Sequence, residues 1–241
     1  MTKEVFDRAA SLLGLLVLSP LFAVVLLFVF LQDRRSPLFL AERAGLQGKP
    51  FRMVKIRSMI VDADRLGGTS SPSDDRRITR VGVYIRRFKI DELFQLWNVL
   101  QGEMSLVGPR PQTLEEVASY STVEKGLLAA KPGITDFASI VFADEGEVLR
   151  GATNPGLAYR QLIRPWKSRL GLFYVEHGEL VLDLQLILLT LVRIVAPARA
   201  MAGVSRLLTR YGASEELVRV ARRVAPLVPH AAPGMGEPFE E

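Results

Sequence analysis

The stretch RRFKIDELFQLWNVLQGEMSLVGPRP, residues 86–111, decides the fold, because it combines a helical pattern, a helix stop and a rigid proline segment. The apolar residues on one helical face are Leu93, Leu96, Trp97 and Leu100. Gly102 follows where such a helix ends. The prolines on either side of Arg110 restrict the backbone, so this arginine is presented in a fixed direction. We expect a helix followed by a stiff arginine-bearing loop.

An adjacent acid pair, Asp91 and Glu92, lies between two arginine clusters at Arg86–Arg87 and Arg110. Arginine forks match phosphate oxygens, and a neighbouring carboxylate can hold a divalent metal or act as a nucleophile. Acidic residues are also common at helix starts for electrostatic reasons alone. The surrounding arginines favour the functional interpretation. We therefore expect a phosphorylated, anionic substrate.

The run AASLLGLLVLSPLFAVVLLFVFL, Ala9–Leu31, contains no charged residue and is long enough to cross roughly 30 Å of hydrocarbon as a straight helix. It is longer than the apolar part of a secretory signal, which is about 7 to 15 residues. No small-residue cleavage site follows it. The pattern predicts a segment that stays in the membrane.

The pair Ser19-Pro20 lies in the middle of this run and predicts a kink, because proline removes a backbone donor. Both flanks of the run are basic, so the usual positive-inside asymmetry is missing. This favours a re-entrant helix that enters and leaves on the same side, with the serine hydroxyl serving a freed backbone group. A kinked helix that spans the membrane is the alternative.

The composition fits a membrane-attached enzyme of 241 residues, with 49% hydrophobic residues, a formal net charge of +5 and a pI near 9.7. No nucleic-acid motif accompanies the positive charge, so membrane surface and anionic substrate are the expected partners. The absence of cysteine excludes disulfides, thiolate metal sites and cysteine nucleophiles. The two histidines, His177 and His230, have no metal-ligand spacing and are expected to be surface or packing residues.

The middle of the chain alternates between turn and apolar signals. Residues 42–59 mix apolar and basic side chains around glycines and predict a short hairpin. Residues 62–80 are polar and predict a mobile surface loop. A turn at Lys131–Thr135 precedes an expected strand from Ser139 to Phe142, and residues 156–175 are expected to form a helix.

The C-terminal part begins with the apolar run Leu180–Val195, which is shorter than a comfortable membrane crossing of about 20 residues and predicts a core or interfacial helix. An amphipathic, basic tail follows from Pro197. Its arginines are expected at the membrane surface, namely Arg206, Arg210, Arg219, Arg222 and Arg223. Disorder is expected from Pro229 onward. The sequence thus predicts three regions: a membrane segment at residues 1–35, a folded domain at 36–196 and the basic tail at 197–241.

Several motifs occur in a fixed order between about Phe6 and Ile194. They are the Ser19-Pro20 break, Glu42-Arg43, Lys55-Ile56-Arg57-Ser58-Met59, Asp91-Glu92-Leu93 through Val107-Gly108-Pro109-Arg110-Pro111, Lys131-Pro132-Gly133-Ile134-Thr135, and Leu182-Asp183-Leu184. In this order they resemble the monotopic polyprenyl-phosphate phosphoglycosyl transferases, the bacterial sugar transferase family that begins surface glycan assembly. The resemblance implies a mixed, helix-rich α/β catalytic domain on the cytoplasmic face of the bacterial inner membrane, attached by a re-entrant helix.

The resemblance also implies a two-step transfer. Asp91 would attack the β-phosphate of a UDP-sugar, release UMP and carry the phosphosugar as an aspartyl intermediate. Polyprenyl phosphate, commonly undecaprenyl phosphate, would then accept the phosphosugar. Glu92 would bind Mg²⁺, and Lys55, Arg86 and Arg110 would bind phosphate. A homodimer is among the expected assemblies.

The chain departs from the family pattern at Asp136-Phe137-Ala138-Ser139, where the family often has Gly-Leu or Gly-Trp followed by Ala-Gln, which leaves sugar recognition open. Residues 141–169 match less specifically. The chain is expected to be the minimal form, without extra N-terminal membrane helices and with an added basic tail. Two alternatives remain, a non-catalytic membrane scaffold and a phosphohydrolase that uses Asp91 with water as acceptor.

Overall fold

The computed structural model of the protein describes residues 2–63, 72 and 74–239. In this part of the chain a long helix, α1 (Thr2–Asp33), precedes a mixed, helix-rich α/β domain. The predicted fold class is confirmed at this level. Residues 64–71 and 73 of the predicted loop lie outside the described residues.

Helix α1 continues through Pro20 as a single helix, so the expected bend does not appear as a break in secondary structure. Because Pro20 has no N–H, the Leu16 carbonyl loses its helical partner. The Ser19 hydroxyl donates to this carbonyl at 2.8 Å, as the sequence predicts. The helix is long and apolar enough to cross a membrane, and most of its apolar side chains are exposed.

Two short sheets lie in the described residues. Strands β1 (Leu38–Ala44) and β2 (Pro50–Ile56) pair antiparallel, with Ala44 opposite Pro50. They form the predicted hairpin. Strands β3 (Ser105–Val107) and β4 (Gly133–Thr135) pair parallel.

Helices surround these sheets. They are α2 (Arg80–Arg87), α3 (Ile90–Leu93), α4 (Leu96–Gln101), α5 (Leu114–Ala118), α6 (Phe137–Val141), α7 (Glu145–Val148), α8 (Pro155–Ala158), α9 (Arg164–His177), α10 (Leu180–Val195), α11 (Pro197–Arg210) and α12 (Glu215–Arg222). Single 3-10 segments cover Leu46–Gly48 and Glu124–Ala129, and a π turn covers Tyr159–Ile163. The helices predicted for residues 156–175 and Leu180–Val195 are confirmed.

The predicted strand from Ser139 to Phe142 is wrong, because most of these residues belong to α6. The side chain of Asp136 accepts a hydrogen bond from the Ser139 N–H at 2.6 Å, which is the contact of a helix N-cap. A short apolar run has no period that distinguishes a strand from a helix. The cap decides the outcome.

The main hydrophobic core joins α6, α9, α10, α11 and α12. Its fully buried members include Phe137, Leu170, Leu182 and Leu208. Helices α11 and α12 lie in the region that the sequence assigns to a separate tail, yet their apolar faces complete this core. Arg223, expected at the membrane surface, instead pairs with Asp144 on the domain. The placement of the other tail arginines at a membrane surface stays a prediction.

Disorder is expected from Pro229, whereas residues 229–239 run along the domain in the structure. The His230 N–H donates to the Gln161 carbonyl at 3.0 Å, and the Gln161 amide donates to the Phe239 carbonyl at 2.6 Å. These bonds use main-chain groups of the segment. Its composition therefore gives no signal of them.

Both ends of α1 are bound to the domain. At the first turn, the Lys3 ammonium pairs with Asp183 and donates to the Val107 carbonyl at 3.2 Å. At the last turn, Arg57 donates to both carboxylate oxygens of Asp33, at 2.6 and 2.7 Å. Hydrogen bonding to Arg57 lowers the pKa of Asp33 to about 2. The ion pair is therefore formed at neutral pH.

The parallel pair β3–β4 depends on two glycines that let the backbones approach closely. A Cβ on Gly133 would lie 2.0 Å from the Gly108 nitrogen. A Cβ on Gly108 would lie 2.3 Å from the Lys131 carbonyl oxygen. Neither position tolerates a side chain without movement of backbone. This explains the glycine in each of the two motifs that meet here.

We expect Gly133→Ala to lower the free energy of unfolding by at least about 1–3 kcal/mol, because the added methyl group forces the strands apart. Thermal unfolding of the detergent-solubilised protein measures the loss. Gly236→Ala is the matched control, since a Cβ at Gly236 meets no described atom within 4 Å. Equal melting temperatures for the two variants would contradict the close-approach argument.

Candidate active site

The acid pair lies on the short helix α3. Lys89, which precedes this helix, has a left-handed backbone with φ of 57° and turns the chain after α2. Asp91 and Glu92 then fall in the first helical turn, as predicted. Asp91 is 7% exposed and the Glu92 side chain is 14% exposed. Both carboxyl groups are thus largely removed from water.

Strand β2 brings Lys55 to this helix, and Asn98 on α4 fixes the strand. The Asn98 side-chain oxygen accepts from the Val54 N–H at 2.9 Å, and its amide donates to the Arg52 carbonyl at 2.8 Å. Lys55 follows directly, with its ammonium nitrogen 3.6 Å from Glu92 Oε1. The first basic residue of the site is therefore positioned by a buried amide.

The loop after β3 brings Arg110 to the same carboxylate. The Pro109 carbonyl accepts from the Gly133 N–H at 3.0 Å, which bonds the loop to β4. The Arg110 guanidinium donates directly to Glu92 Oε1. Glu92 thus lies between two cations that come from separate segments of the chain.

Glu92 is ionised because of these cations. Burial alone would raise the pKa of Glu92, but Arg110 and then Lys55 outweigh burial and hold the pKa well below its usual range. Burial lowers the pKa of Lys55, and the charge of Glu92 opposes this change. The result is a charged cluster with one carboxylate and two basic groups.

Asp91 has the opposite environment. Burial, and then the charge of Glu92, raises the pKa of Asp91, while Lys55, Lys89 and Arg86 act against the rise. Its oxygen Oδ1 is buried and has no hydrogen-bond partner among the described residues. Such a group costs free energy unless a ligand or a moving side chain serves it. The two neighbouring acids are therefore electrostatically distinct.

Arg86 lies in the last turn of α2 and is half-buried. Within the described residues it forms no ion pair with the acids, although its charge lowers the pKa of Asp91. The structure thus joins Lys55, Arg110 and Glu92 by contact and brings Arg86 close enough to act by charge alone. Ser19 and Pro20 lie within α1 and are not part of this cluster.

A family model described as bacterial sugar transferase matches residues 1–197. The chain belongs to the bacterial sugar transferase family. The resemblance that its motifs indicate is confirmed. Helix α12 and nearly all of α11 lie beyond the matched residues.

Named relatives of this sugar transferase differ in the sugar they carry. An undecaprenyl-phosphate glucose phosphotransferase of Komagataeibacter xylinus is 38% identical over 80% of this chain and 36% of its own length. A galactosyl transferase of Streptococcus agalactiae is 33% identical over 79% of this chain and 41% of its own length. A UDP-glucose:undecaprenyl-phosphate glucose-1-phosphate transferase of Caulobacter vibrioides is 35% identical over 79% and 68%. The chain thus spans less than half the length of two of these relatives.

The sequence does not predict a cleft that Arg110 also lines. The cleft encloses about 410 Å³, including space open to solvent, and Asp136, Ser139 and Lys167 are among its lining residues. Lys167 also pairs with Glu145. Asp136 is an aspartate in a helix N-cap position, and this sequence feature could have located one wall of the cleft. Asn98, also missed, has no signal in the sequence, because it lies away from the apolar helical face of Leu93, Leu96 and Leu100.

The predicted magnesium ion can be tested against the side chains of the site. No group of three or more metal-ligating side chains occurs in the residues that the structure describes. Mg²⁺ is commonly bound by one or two carboxylates together with substrate phosphates. Glu92, a buried carboxylate beside two cations that match phosphate, fits an ion that is shared with a diphosphate. Glu92 stays the predicted ligand.

Replacing Arg110 by glutamine removes the principal cation that lowers the pKa of Glu92. A carboxyl with a lowered pKa in the folded state adds stability above its ordinary pKa and loses it as the pH falls. We expect Arg110→Gln to destabilise the protein by about 1.5–3 kcal/mol at pH 7. The difference from wild type should shrink below pH 4.5, the ordinary pKa of the group.

Thermal unfolding between pH 3 and pH 8 measures this difference, with Arg150→Gln as the control. Arg150 pairs with Glu147 on the surface, where both side chains are more than half exposed. Its replacement should have a small effect. A loss for Arg110→Gln that is the same at every pH would contradict the ionised state assigned to Glu92.

Proposed function

We propose that this protein transfers a sugar 1-phosphate from a UDP-sugar to polyprenyl phosphate, commonly undecaprenyl phosphate, with release of UMP, and so starts surface glycan synthesis. The observation that carries the proposal is the buried acid pair. One acid is held ionised by Arg110 and Lys55, and the other has an oxygen without a partner. The names of the relatives support the same donor and acceptor classes.

In the first step, an oxygen of Asp91 forms a bond to the β-phosphorus of the donor. The bond from this phosphorus to the bridging oxygen breaks, and UMP leaves with the electron pair. Arg110, Lys55 and Arg86 offset the phosphate charge that would otherwise repel the carboxylate. Glu92 would hold Mg²⁺, which would neutralise this charge further. The enzyme then carries an aspartyl phosphosugar.

In the second step, a phosphate oxygen of the lipid forms a bond to the same phosphorus. The bond to Asp91 breaks, and its electron pair returns to the carboxylate. Donor and acceptor thus use one site in turn, which is the basis of ping-pong kinetics. Two substrates of very different solubility need not be bound together.

We further propose that α1 is re-entrant and that the domain lies on the cytoplasmic face of the inner membrane. The support is that both ends of α1 bind the same domain, through Lys3 with Asp183 and through Asp33 with Arg57. A helix that spans the bilayer separates its ends by roughly 30 Å of hydrocarbon. One water-exposed domain cannot bind both. A homodimer is not part of the proposal.

The activity test measures UMP release by the purified protein with Mg²⁺, undecaprenyl phosphate and a panel of UDP-sugars. We expect turnover with at least one donor, a loss of at least about 10³-fold for Asp91→Asn, and a loss of about 10²–10³-fold for Glu92→Gln. Glu115→Gln, on the exposed face of α5, is the matched control. Full activity of both acid variants would overturn the assignment.

The same assay separates the alternatives. A phosphohydrolase would consume donor at the same rate without lipid phosphate, because water would be its acceptor. A scaffold would release no product from any donor.

The topology test introduces single cysteines at Thr2 and Arg35. Only the introduced thiol can react, because the chain has no native cysteine. Both positions are exposed beside the ends of α1. A membrane-impermeant thiol reagent should label both from the cytoplasmic side, together with a reference cysteine at Glu115. Labelling of the two ends from opposite sides would establish a spanning helix instead.

A further inference from the structure

Gln95 carries a buried amide to which the proposed reaction assigns no role. The residue is 1% exposed, and its side-chain nitrogen Nε2 has no hydrogen-bond partner among the described residues. An unserved buried donor costs about 1–3 kcal/mol. The position therefore needs an explanation beyond packing.

Gln95 lies in the turn that joins α3 to α4, four residues after Asp91. Phe94 and Gln95 have right-handed backbone angles, and the Gln95 N–H donates to the Glu92 carbonyl at 3.0 Å, a bond between residues three apart. The segment therefore continues the right-handed turn of α3. About one turn of chain separates the buried Asp91 and Gln95.

The two side chains have complementary deficits. Asp91 Oδ1 is a buried acceptor without a donor, and Gln95 Nε2 is a buried donor without an acceptor. The next buried amide along the chain behaves differently. Asn98 donates to Arg52 and Glu103 and accepts from Val54, so it is fully engaged. Asn98, whose bonds serve only the fold, thus has all its hydrogen-bond partners. Gln95, close to the acid pair along the chain, has a donor without a partner.

We propose that Gln95 is a positioning residue for Asp91, whose amide donates to Oδ1 during the reaction and leaves the other carboxylate oxygen to attack phosphorus. This inference rests on the proposed function. One fixed oxygen means that the attacking oxygen has a fixed direction. The charge-assisted bond also favours a single rotamer of the carboxylate.

The same amide serves both steps. When the attacking oxygen bonds to phosphorus, Oδ1 becomes the carbonyl oxygen of the acyl phosphate and continues to accept from Nε2. When the lipid phosphate takes the phosphosugar, the electron pair of the broken bond returns to the carboxylate. The amide then stabilises the negative charge that forms on it. No further reactant is required.

The experiment measures the burst of UMP formed in one turnover with donor, and then the consumption of the trapped intermediate by added undecaprenyl phosphate. The variants are Gln95→Met, which removes the donor, and Gln95→Glu, which keeps the shape in case the first variant does not fold. Gln185→Met on α10 is the matched control, a partly buried glutamine outside the cluster. Melting temperatures establish that each variant is folded.

We expect both Gln95 variants to slow the burst by roughly 10- to 100-fold, while the donor KM stays within about threefold of wild type. If Gln95 had only a structural role, its variants would lose donor affinity and thermal stability together. The burst rate would then not fall while KM stayed unchanged. A folded variant with a wild-type burst, or with a changed KM alone, overturns the inference. Absence of turnover in the wild type would instead refute the proposed function, so the two failures are distinguishable.

Discussion

The fold of the domain depends on one buried ionised carboxylate. Glu92 has a partner from β2, Lys55, and a partner from the loop after β3, Arg110. Removal of one partner of a buried ion pair typically costs several kcal/mol, because the remaining charge is uncompensated. The hairpin, α3 and the parallel strand pair must therefore be in place together. The cations that satisfy this constraint are the same groups to which the proposed function assigns the diphosphate.

Main-chain contacts supply the precision that this cluster requires. Gly108 and Gly133 allow two backbones to approach within a distance that no side chain permits, and this close approach places Arg110. Asn98 ties two backbone positions of β2 and so places Lys55. Each of the two cations that contact Glu92 is thus positioned by residues outside the charged cluster. Substitutions at such residues act on geometry before they act on charge.

The sequence predicts the features whose signals are local. The helical period of Leu93 and Leu96, the hairpin glycines and the acid pair between arginines all give correct elements. Sequence-based prediction fails where a single contact decides between helix and strand. At Asp136, the N-cap hydrogen bond makes a helix of residues whose pattern resembles a strand. Prediction also fails where main-chain groups bind a distant segment, as for residues 229–239. The pairing of Lys3 with Asp183 joins the two ends of the matched region and has no pattern that would reveal it.

The attachment of α1 at both ends has a mechanical consequence. The Lys3 ammonium reaches the carbonyl of Val107, three residues before Arg110, while Arg57, which holds Asp33, follows Lys55 by two residues. Each tether therefore reaches the main chain beside one of the two cations that hold Glu92. Tension in the surrounding lipid would be transmitted to both cations at once. In a membrane-attached enzyme of this kind, bilayer thickness and curvature would then act on the acid pair from a distance, without any lipid touching it.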